Sequence, residues 1–131
     1  LLINMKKLFL FLIPLAVIAC SKDPGVGGSS SISGTVMVVD IVVGNPVDTT
    51  YAAGEDVFLL YGTDTIKPYD DSFETSWNGT YKFEYLRKGT YSVFVYSDDY
   101  PNSNENVPLF STIEVAKNGT DYKLDDIVIY K

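Results

Sequence analysis

The sequence predicts an all-β protein, a single seven-stranded antiparallel β-sandwich that follows a short export signal. Two observations predict this fold. After residue 31 no segment shows a helical period, and short runs rich in Val, Ile, Tyr and Phe are separated by turn residues. Asn-Gly pairs, which favour tight turns, stand between several of these runs. Because each sheet is apolar on one face, two sheets must pack together to bury those faces.

The first 19 residues have the order of an export signal. Two lysines precede an apolar run over residues 8–18, and small residues lead to Cys20, the only cysteine of the chain. The run is shorter than the roughly 20 residues that span a bilayer, and it is apolar on every side, unlike an amphipathic core helix. This order resembles a bacterial lipoprotein signal, with Met5 as the natural start and residues 1–19 removed. An ordinary secretory signal is the alternative.

The resemblance implies that Cys20 carries lipid and anchors the protein, since more than one acyl chain gives stable attachment. Residues 20–31, rich in Gly and Ser, then form a flexible tether. Ser21 favours the outer membrane over retention in the inner membrane. Lys22-Asp23 is similar to the charged tag of surface-exposed Bacteroidetes lipoproteins. We therefore expect an exported, lipid-anchored protein of the outer membrane, facing either the periplasm or the cell surface.

The folded domain is expected to run from residue 32 to residue 131. Its strands are predicted at 32–40, 55–62, 72–77, 80–86, 90–97, 109–116 and 120–130. The Asn-Gly pairs at 78–79 and 118–119 are expected to close hairpins between the strands on either side, and residues 87–89 to join a third pair.

Alternation within two runs predicts which side chains face the core. Tyr81, Phe83 and Tyr85 fall on one face of their strand. In the last run the apolar phase changes, which predicts a bulge near residues 125–126.

The run over residues 90–97 separates two sets of side chains. Tyr91, Val93 and Val95 point together and are expected in the core. Phe94 and Tyr96 therefore lie on the opposite face of the same strand.

Several segments together resemble the carboxypeptidase regulatory-like domain, a prealbumin-like module. They are Ile32-Ser-Gly-Thr-Val36, Glu55-Asp-Val-Phe-Leu-Leu60, Asn78-Gly-Thr-Tyr-Lys-Phe83 and Gly89-Thr-Tyr-Ser-Val93. The resemblance covers nearly the whole domain and implies a Greek-key sandwich. It departs from the family at residues 76–78, where an Asp usually precedes the turn glycine. Modules of this family are accessory to enzymes, transporters and surface proteins and do no chemistry themselves.

Composition excludes several functions. The chain has 17 acidic and 10 basic residues, a net charge of −7, which becomes −9 without the two signal lysines and disfavours nucleic acid as a partner. It has no histidine, and its one cysteine is assigned to lipid. Catalytic triads that need histidine and histidine-ligated zinc or iron sites are therefore excluded. We expect no cofactor and no enzymatic activity. An enzyme that uses carboxylates alone, such as Glu74 with Glu84, is the remaining alternative.

The aromatic content of 14% is more than one inner face can bury. Trp77, Phe94, Tyr96 and Tyr100 are the candidate binding residues, because exposed rings suit stacking on sugars or docking of a protein partner. The alternative is that Tyr simply packs well on β-surfaces.

Two further kinds of site have candidates in the predicted loops. Asp98, Asp99, Asn102 and Asn104 offer oxygen ligands for calcium, although Asp and Asn also form loops for local reasons. Asp48-Thr49-Thr50 and Asp64-Thr65-Ile66 are similar to the O-glycosylation signal of exported Bacteroidetes proteins, which implies modification at Thr49 and Thr65.

Together these features predict a non-catalytic, lipid-anchored binding or accessory module. Its role is expected in glycan or nutrient capture with an outer-membrane complex. The expected partners are the membrane, through the lipid, and a glycan or an outer-membrane protein, but no nucleic acid. The alternative is a structural stalk or a pilus-type subunit joined by strand exchange.

Overall fold

The computed structural model describes residues 23–131, and these form nine strands and no helix. The strands are β1 (Val26–Val42), β2 (Asn45–Tyr51), β3 (Asp56–Tyr61), β4 (Asp71–Glu74), β5 (Thr80–Leu86), β6 (Gly89–Asp98), β7 (Asn106–Val115), β8 (Asp121–Lys123) and β9 (Ile127–Tyr130). Within this range no helix is long and apolar enough to cross a membrane. Cys20 and the predicted signal lie outside the described residues.

The strands form two sheets, which confirms the predicted all-β, sandwich-like architecture. Sheet I has five strands, in which β1 pairs with each of β2, β5, β8 and β9. Sheet II has four strands in the order β4-β3-β6-β7, all antiparallel. The long strand β1 therefore organises one sheet, and the hairpin of β6 and β7 is the longest pairing in the other.

The core lies between the inner faces of the two sheets. Alternate residues of β1, β5 and β9 meet alternate residues of β3 and β6, as the two-residue period of a strand requires. The buried core side chains include Ile32, Val36, Tyr81, Phe83, Ile127 and Ile129 from sheet I and Val57, Leu59, Tyr91, Val93, Val95 and Val115 from sheet II. The predicted core positions Tyr91, Val93 and Val95 are thus confirmed.

The first strand begins earlier than the sequence predicts. Because β1 starts at Val26, residues 26–31 belong to sheet I and are not a flexible tether. Ser31 N donates to Thr120 O at 3.0 Å, and Ser30 Oγ donates to Lys117 O at 2.6 Å. Serine-rich composition is typical of linkers, but here the polar groups find partners on the far end of the chain.

The strand count also differs from the prediction of seven. The segment over residues 41–54, expected as a loop, contains β2, and all seven residues of β2 are exposed, so no apolar alternation marked it. The last predicted strand is divided into β8 and β9, because residues 124–126 interrupt the strand where a bulge was expected. Both strands pair parallel to β1, so the sandwich is not wholly antiparallel.

The three predicted hairpin junctions connect different sheets. The Asn78-Gly79 turn links β4 of sheet II to β5 of sheet I, and residues 87–89 lead back from β5 to β6. The Asn118-Gly119 turn likewise leads from β7 to β8. Both turn glycines have positive φ, 73° and 64°, so the tight turns form as expected. The hairpins themselves close elsewhere, between β1 and β2, β3 and β4, and β6 and β7.

A bulge in β5 corrects the predicted alternation. Leu86 pairs with Ser30, but Phe83 pairs with Ile32, so β5 has one extra residue there. Tyr85 takes up the difference with φ of 60° and points to solvent, where the sequence placed it in phase with Phe83. The bulge returns Leu86 to the core.

Candidate functional site

The outer face of sheet I is polar around β5 and β8, while its β2 and β9 end carries the exposed side chains of Tyr51 and Val128. Ser33 lies opposite Lys82 on β5 and opposite Lys123 on β8. Lys82 forms an exposed ion pair with Glu84 along β5, at 3.5 Å. A shallow depression of about 410 Å³ beside β1 and β5 has a mixed lining of Ser, Thr and Lys side chains and aromatic ones, including Phe73 from β4. This face follows the usual pattern of a sheet with one side in the core and one side in water.

Sheet II carries a row of aromatic rings across its outer face. Phe58, Phe94 and Phe110 are register partners on β3, β6 and β7. Ring centroids lie 5.0 Å apart for Phe58 and Phe94, with an interplanar angle of 24°, and 4.9 Å apart for Phe94 and Phe110, with an angle of 40°. Side chains directly opposite on neighbouring strands are close enough to contact each other. The three rings therefore form a continuous stack that ends at strand β7.

Two tyrosines widen this stack. Tyr96 meets Phe58 and Phe94 edge-on, at centroid distances of 5.9 and 5.7 Å. Tyr69, from the connection between β3 and β4, packs on Phe58 at 4.7 Å. We call Phe58, Tyr69, Phe94, Tyr96 and Phe110 the aromatic cluster.

The connection over residues 62–70 is fixed next to the cluster by its own polar contacts. Lys67 Nζ donates to Tyr61 O at 2.7 Å and lies 3.0 Å from Asp70 Oδ2. The Asp70 carboxylate also accepts a hydrogen bond from Tyr61 N at 2.7 Å. Tyr69 lies between these anchored residues, so its ring is held in place over sheet II.

The aromatic cluster is buried at its centre and open at its margins. Phe94 is only 7% exposed although it lies outside the central core, because its aromatic neighbours cover it. Tyr96 and Phe110 are each 41% exposed, and Tyr69 is 52% exposed. The cluster therefore presents an apolar ridge with phenol hydroxyls near it, which can bury apolar groups of a ligand and hydrogen-bond to its polar ones.

The structure brings together two of the four predicted aromatic candidates, Phe94 and Tyr96. Trp77 is 82% exposed in the turn between β4 and β5 and is not part of the cluster. Tyr100 packs against Tyr130 with ring centroids 5.3 Å apart, and its hydroxyl donates to Gly44 O at 3.2 Å. Tyr100 thus ties the connection between β6 and β7 to neighbouring parts of the fold.

The loop with the predicted calcium ligands uses Asp99 for its own structure. The Asp99 carboxylate accepts hydrogen bonds from Asn102 Nδ2 at 3.2 Å and from Ser103 Oγ at 3.3 Å. Asp98 ends β6, and Asn104 follows the turn. Within residues 23–131, no group of three or more carboxylate, His or Cys side chains converges as a metal site would require.

The two predicted O-glycosylation residues are both exposed. Thr49 lies in strand β2, where the sequence predicts a loop, and its N–H donates to Asp48 Oδ1 at 2.8 Å. Thr65 lies in the connection between β3 and β4, where Asp64 Oδ1 accepts a hydrogen bond from Ile66 N at 3.0 Å. Modification at these residues stays a prediction.

Two core tyrosines differ in how their hydroxyl groups are satisfied. Tyr91 Oη accepts from Gly25 N at 2.8 Å and donates to Arg87 O at 2.6 Å. Tyr81 Oη is buried without a hydrogen-bond partner among the described residues. Burial raises the pKa of Tyr81 to about 12, and the Asp126 carboxylate adds to this effect. Burial also raises the pKa of Tyr91.

Sequence reasoning did not select Phe58 and Phe110, two of the three stacked rings. Phe58 stands in the run Val57-Phe-Leu-Leu60, which is apolar at every position, so alternation alone could not say which residues face outward. The signal that finds both residues is register. Once β3 and β7 flank β6, they become the direct neighbours of Phe94.

No protein-family profile matches the chain, and no curated protein matches it. Among solved structures it is similar to a candidate carbohydrate-binding protein from Pseudomonas aeruginosa, with 11% identity and a TM-score of 0.45 over 82% of this chain and 91% of that one. It is also similar to a 9R-lipoxygenase from Cyanothece, with 13% identity and a TM-score of 0.36, over 79% of this chain and 16% of the lipoxygenase. Function is therefore inferred from the residues of this chain.

Proposed function

We propose that this protein is a non-catalytic, lipid-anchored binding module that uses the aromatic cluster as its binding surface. The observation that carries the proposal is the continuous stack of Phe58, Phe94 and Phe110, extended by two exposed tyrosines on the outer face of sheet II. Contiguous apolar patches on soluble domains usually mark sites of interaction.

The chemistry of the cluster supports binding rather than catalysis. Covering an exposed aromatic ring with another apolar surface stabilises the complex by about 25 cal/mol per Å² of apolar area buried. The chain has no histidine, the usual general acid or base near neutral pH. The proposed ligand is a polymer or a protein of the outer membrane, in glycan or nutrient capture with a surface complex.

The order of lysines, apolar run and Cys20 supports anchoring through lipid. Cys20→Ala is expected to release the protein from membranes, because the acylated thiol is lost. Cell fractionation followed by immunoblotting measures this. A variant that stays in the membrane pellet as fully as wild type contradicts the anchor.

The resemblance to carboxypeptidase regulatory-like modules supports an accessory role. We also propose that this domain is related to prealbumin-like Greek-key sandwiches. Its nine strands and two parallel pairings depart from the minimal pattern of that fold. An accessory module of this kind presents a surface to a partner and leaves the chemistry to it.

The test compares capture by two exposed-surface variants. Tyr96→Ala removes a ring from the aromatic cluster, and Lys82→Ala removes a side chain of similar exposure from the polar face. Membranes or immobilised full chain are offered a panel of glycans and solubilised outer-membrane proteins. Loss of one specific ligand with Tyr96→Ala but not with Lys82→Ala supports the proposal. Equal capture by both variants contradicts it.

Strand β7 supports the alternative of a stalk or pilus-type subunit. It is ten residues long, lies at the end of sheet II, and has a second strand on only one side within residues 23–131. Such an edge can accept a donated strand from another subunit. A ladder of oligomers after mild cross-linking, abolished by a proline at Thr112 but not by Tyr96→Ala, favours this alternative.

A further inference from the structure

The outer face of sheet II carries negative charge without positive charge. Its four strands place four carboxylates in the same alternation phase as the stacked rings. These are Asp56, Glu74, Asp98 and Glu114. No lysine or arginine occupies an outward position on these strands. Sheet I differs, because its outward positions alternate acids with Lys82 and Lys123.

Two of these carboxylates lie directly opposite each other. Asp56 on β3 is the register partner of Glu74 on β4. Like charges directly opposite on neighbouring strands are destabilising. Among residues 23–131, the ion pairs join other groups, and no lysine or arginine lies within 4.0 Å of any of the four carboxylates. The neighbouring cation Lys67 is already engaged by Asp70.

The stacking of the rings decides which ligand this face suits. Phe94 has a ring on each side, so its faces are covered and its edge forms part of a ridge. A flat sugar ring needs an open aromatic face, whereas the aliphatic stem of Lys or Arg packs along a ridge and carries its charge to the side. Arg also stacks on exposed aromatic surface, such as the outer rings Tyr96 and Phe110.

We propose that the aromatic cluster and its four flanking carboxylates bind a basic segment of a partner protein, whose Lys and Arg stems cover the rings while their charged heads meet Asp56, Glu74, Asp98 and Glu114. This inference rests on the proposed function, because it names the partner of the same surface. The carboxylates do not converge in a group that could hold one metal ion within the described residues. They suit several cations spaced along a chain. The net charge of −7 also attracts such a segment from a distance.

The test uses the full chain in non-ionic detergent and a labelled eight-residue peptide that alternates Lys or Arg with Phe or Val. Asp56→Asn with Glu74→Gln removes two charges beside the cluster. Glu84→Gln with Asp125→Asn removes two charges elsewhere and is the matched control. Fluorescence polarisation at 50 mM salt should show about tenfold weaker binding for the first pair and less than about twofold for the control. At 500 mM salt the difference should shrink, because exposed charges are screened.

Equal losses for the two double variants, or no loss for the first, overturn the inference. The same peptide with Glu in place of Lys and Arg should not bind, and binding of equal strength also overturns it. A neutral glucan or a chitosan oligosaccharide that binds while the basic peptide does not overturns this inference. If that binding is lost in Tyr96→Ala, the proposed function still stands. If Tyr96→Ala leaves the binding of every probe unchanged, the proposed function fails as well.

Discussion

The outer face of sheet I carries Ser33, Lys82, Glu84 and Lys123 around β5 and β8, whereas the outer face of sheet II carries the stacked rings of Phe58, Phe94 and Phe110. Both sheets obey the same alternation, and both bury their inner faces in one core. The difference lies only in what the outward positions carry.

The β5 and β8 half of sheet I shows that an outer face of this fold can be polar. Polar side chains cover the solvent side of that half, whereas Tyr51 and Val128 are exposed at the β2 and β9 end of the same sheet. Sheet II differs in carrying aromatic rings that contact one another across its strands, and these leave Tyr96, Phe110 and Tyr69 partly exposed. Sheet II is therefore the face on which binding should be tested.

The largest effect on stability is expected in the core between the two sheets. Val93→Asp places an unpaired charge at a fully buried position of β6 and should cost several kcal/mol, enough to unfold a marginal domain. Thermal melting followed by circular dichroism measures this. A variant that melts cooperatively near the wild-type temperature contradicts the assignment of the inner face.

Phe94→Ala asks how much the aromatic stack contributes to stability. Phe94 is nearly buried between two rings, so its loss should cost about 3 kcal/mol. Urea denaturation gives the free energy of unfolding, and Lys82→Ala on the polar face should change it by less than about 0.5 kcal/mol. Similar changes in the free energy of unfolding for Phe94→Ala and Lys82→Ala would contradict a structural difference between the two outer faces.

Substitution of two buried tyrosines, one from each sheet, tests whether their hydroxyl groups contribute differently to stability. Tyr91→Phe leaves Gly25 N–H without its partner and should cost about 1–3 kcal/mol. Tyr81→Phe removes a hydroxyl without a partner and should be neutral or stabilising by about 1 kcal/mol. Equal destabilisation by both variants contradicts the hydrogen-bond assignment.

The raised pKa of Tyr81 predicts that the stability of the domain depends on pH. The folded pKa of Tyr81, about 12, lies above its ordinary value of 10.0. Its stabilising contribution is therefore complete below pH 10 and is lost as the pH rises through 12. Melting curves between pH 9 and pH 12 should show a smaller loss of stability for Tyr81→Phe than for wild type. Parallel losses contradict this.

Tyr96→Ala should destabilise the domain less than Val93→Asp or Phe94→Ala. Its ring is 41% exposed, and its loss should cost about 1 kcal/mol, from the edge-on contacts with Phe58 and Phe94. Its effect on ligand capture should be larger than its effect on melting. If Tyr96→Ala melts as badly as Val93→Asp, this side chain is part of a covered structural layer.

The sequence predicts the fold class and much of the core because alternation is a local property. Tyr91, Val93 and Val95 face inward and Tyr96 outward, as the pleat of one strand requires. Sheet membership is not local. Both Asn-Gly pairs make the tight turns that their glycines favour, yet each turn carries the chain to the opposite sheet.

The candidate surface was predicted only in part for the same reason. Phe94 and Tyr96 follow from one strand, but Phe58 and Phe110 join them through register with β3 and β7. β2 was missed because every residue of it is exposed, and the start of β1 was missed because its serines resemble a linker. These elements depend on partners far along the chain.

The most direct test of the binding surface is photo-cross-linking in intact membranes. Phe110 is replaced with p-benzoylphenylalanine in one full-length variant, and Lys82 is replaced in another. Phe110 lies at the open end of the aromatic stack and Lys82 on the polar face. Irradiation should give a discrete adduct from position 110 and none from position 82. Adducts of equal yield from both positions, or an adduct from position 82 alone, contradict the assignment of binding to sheet II.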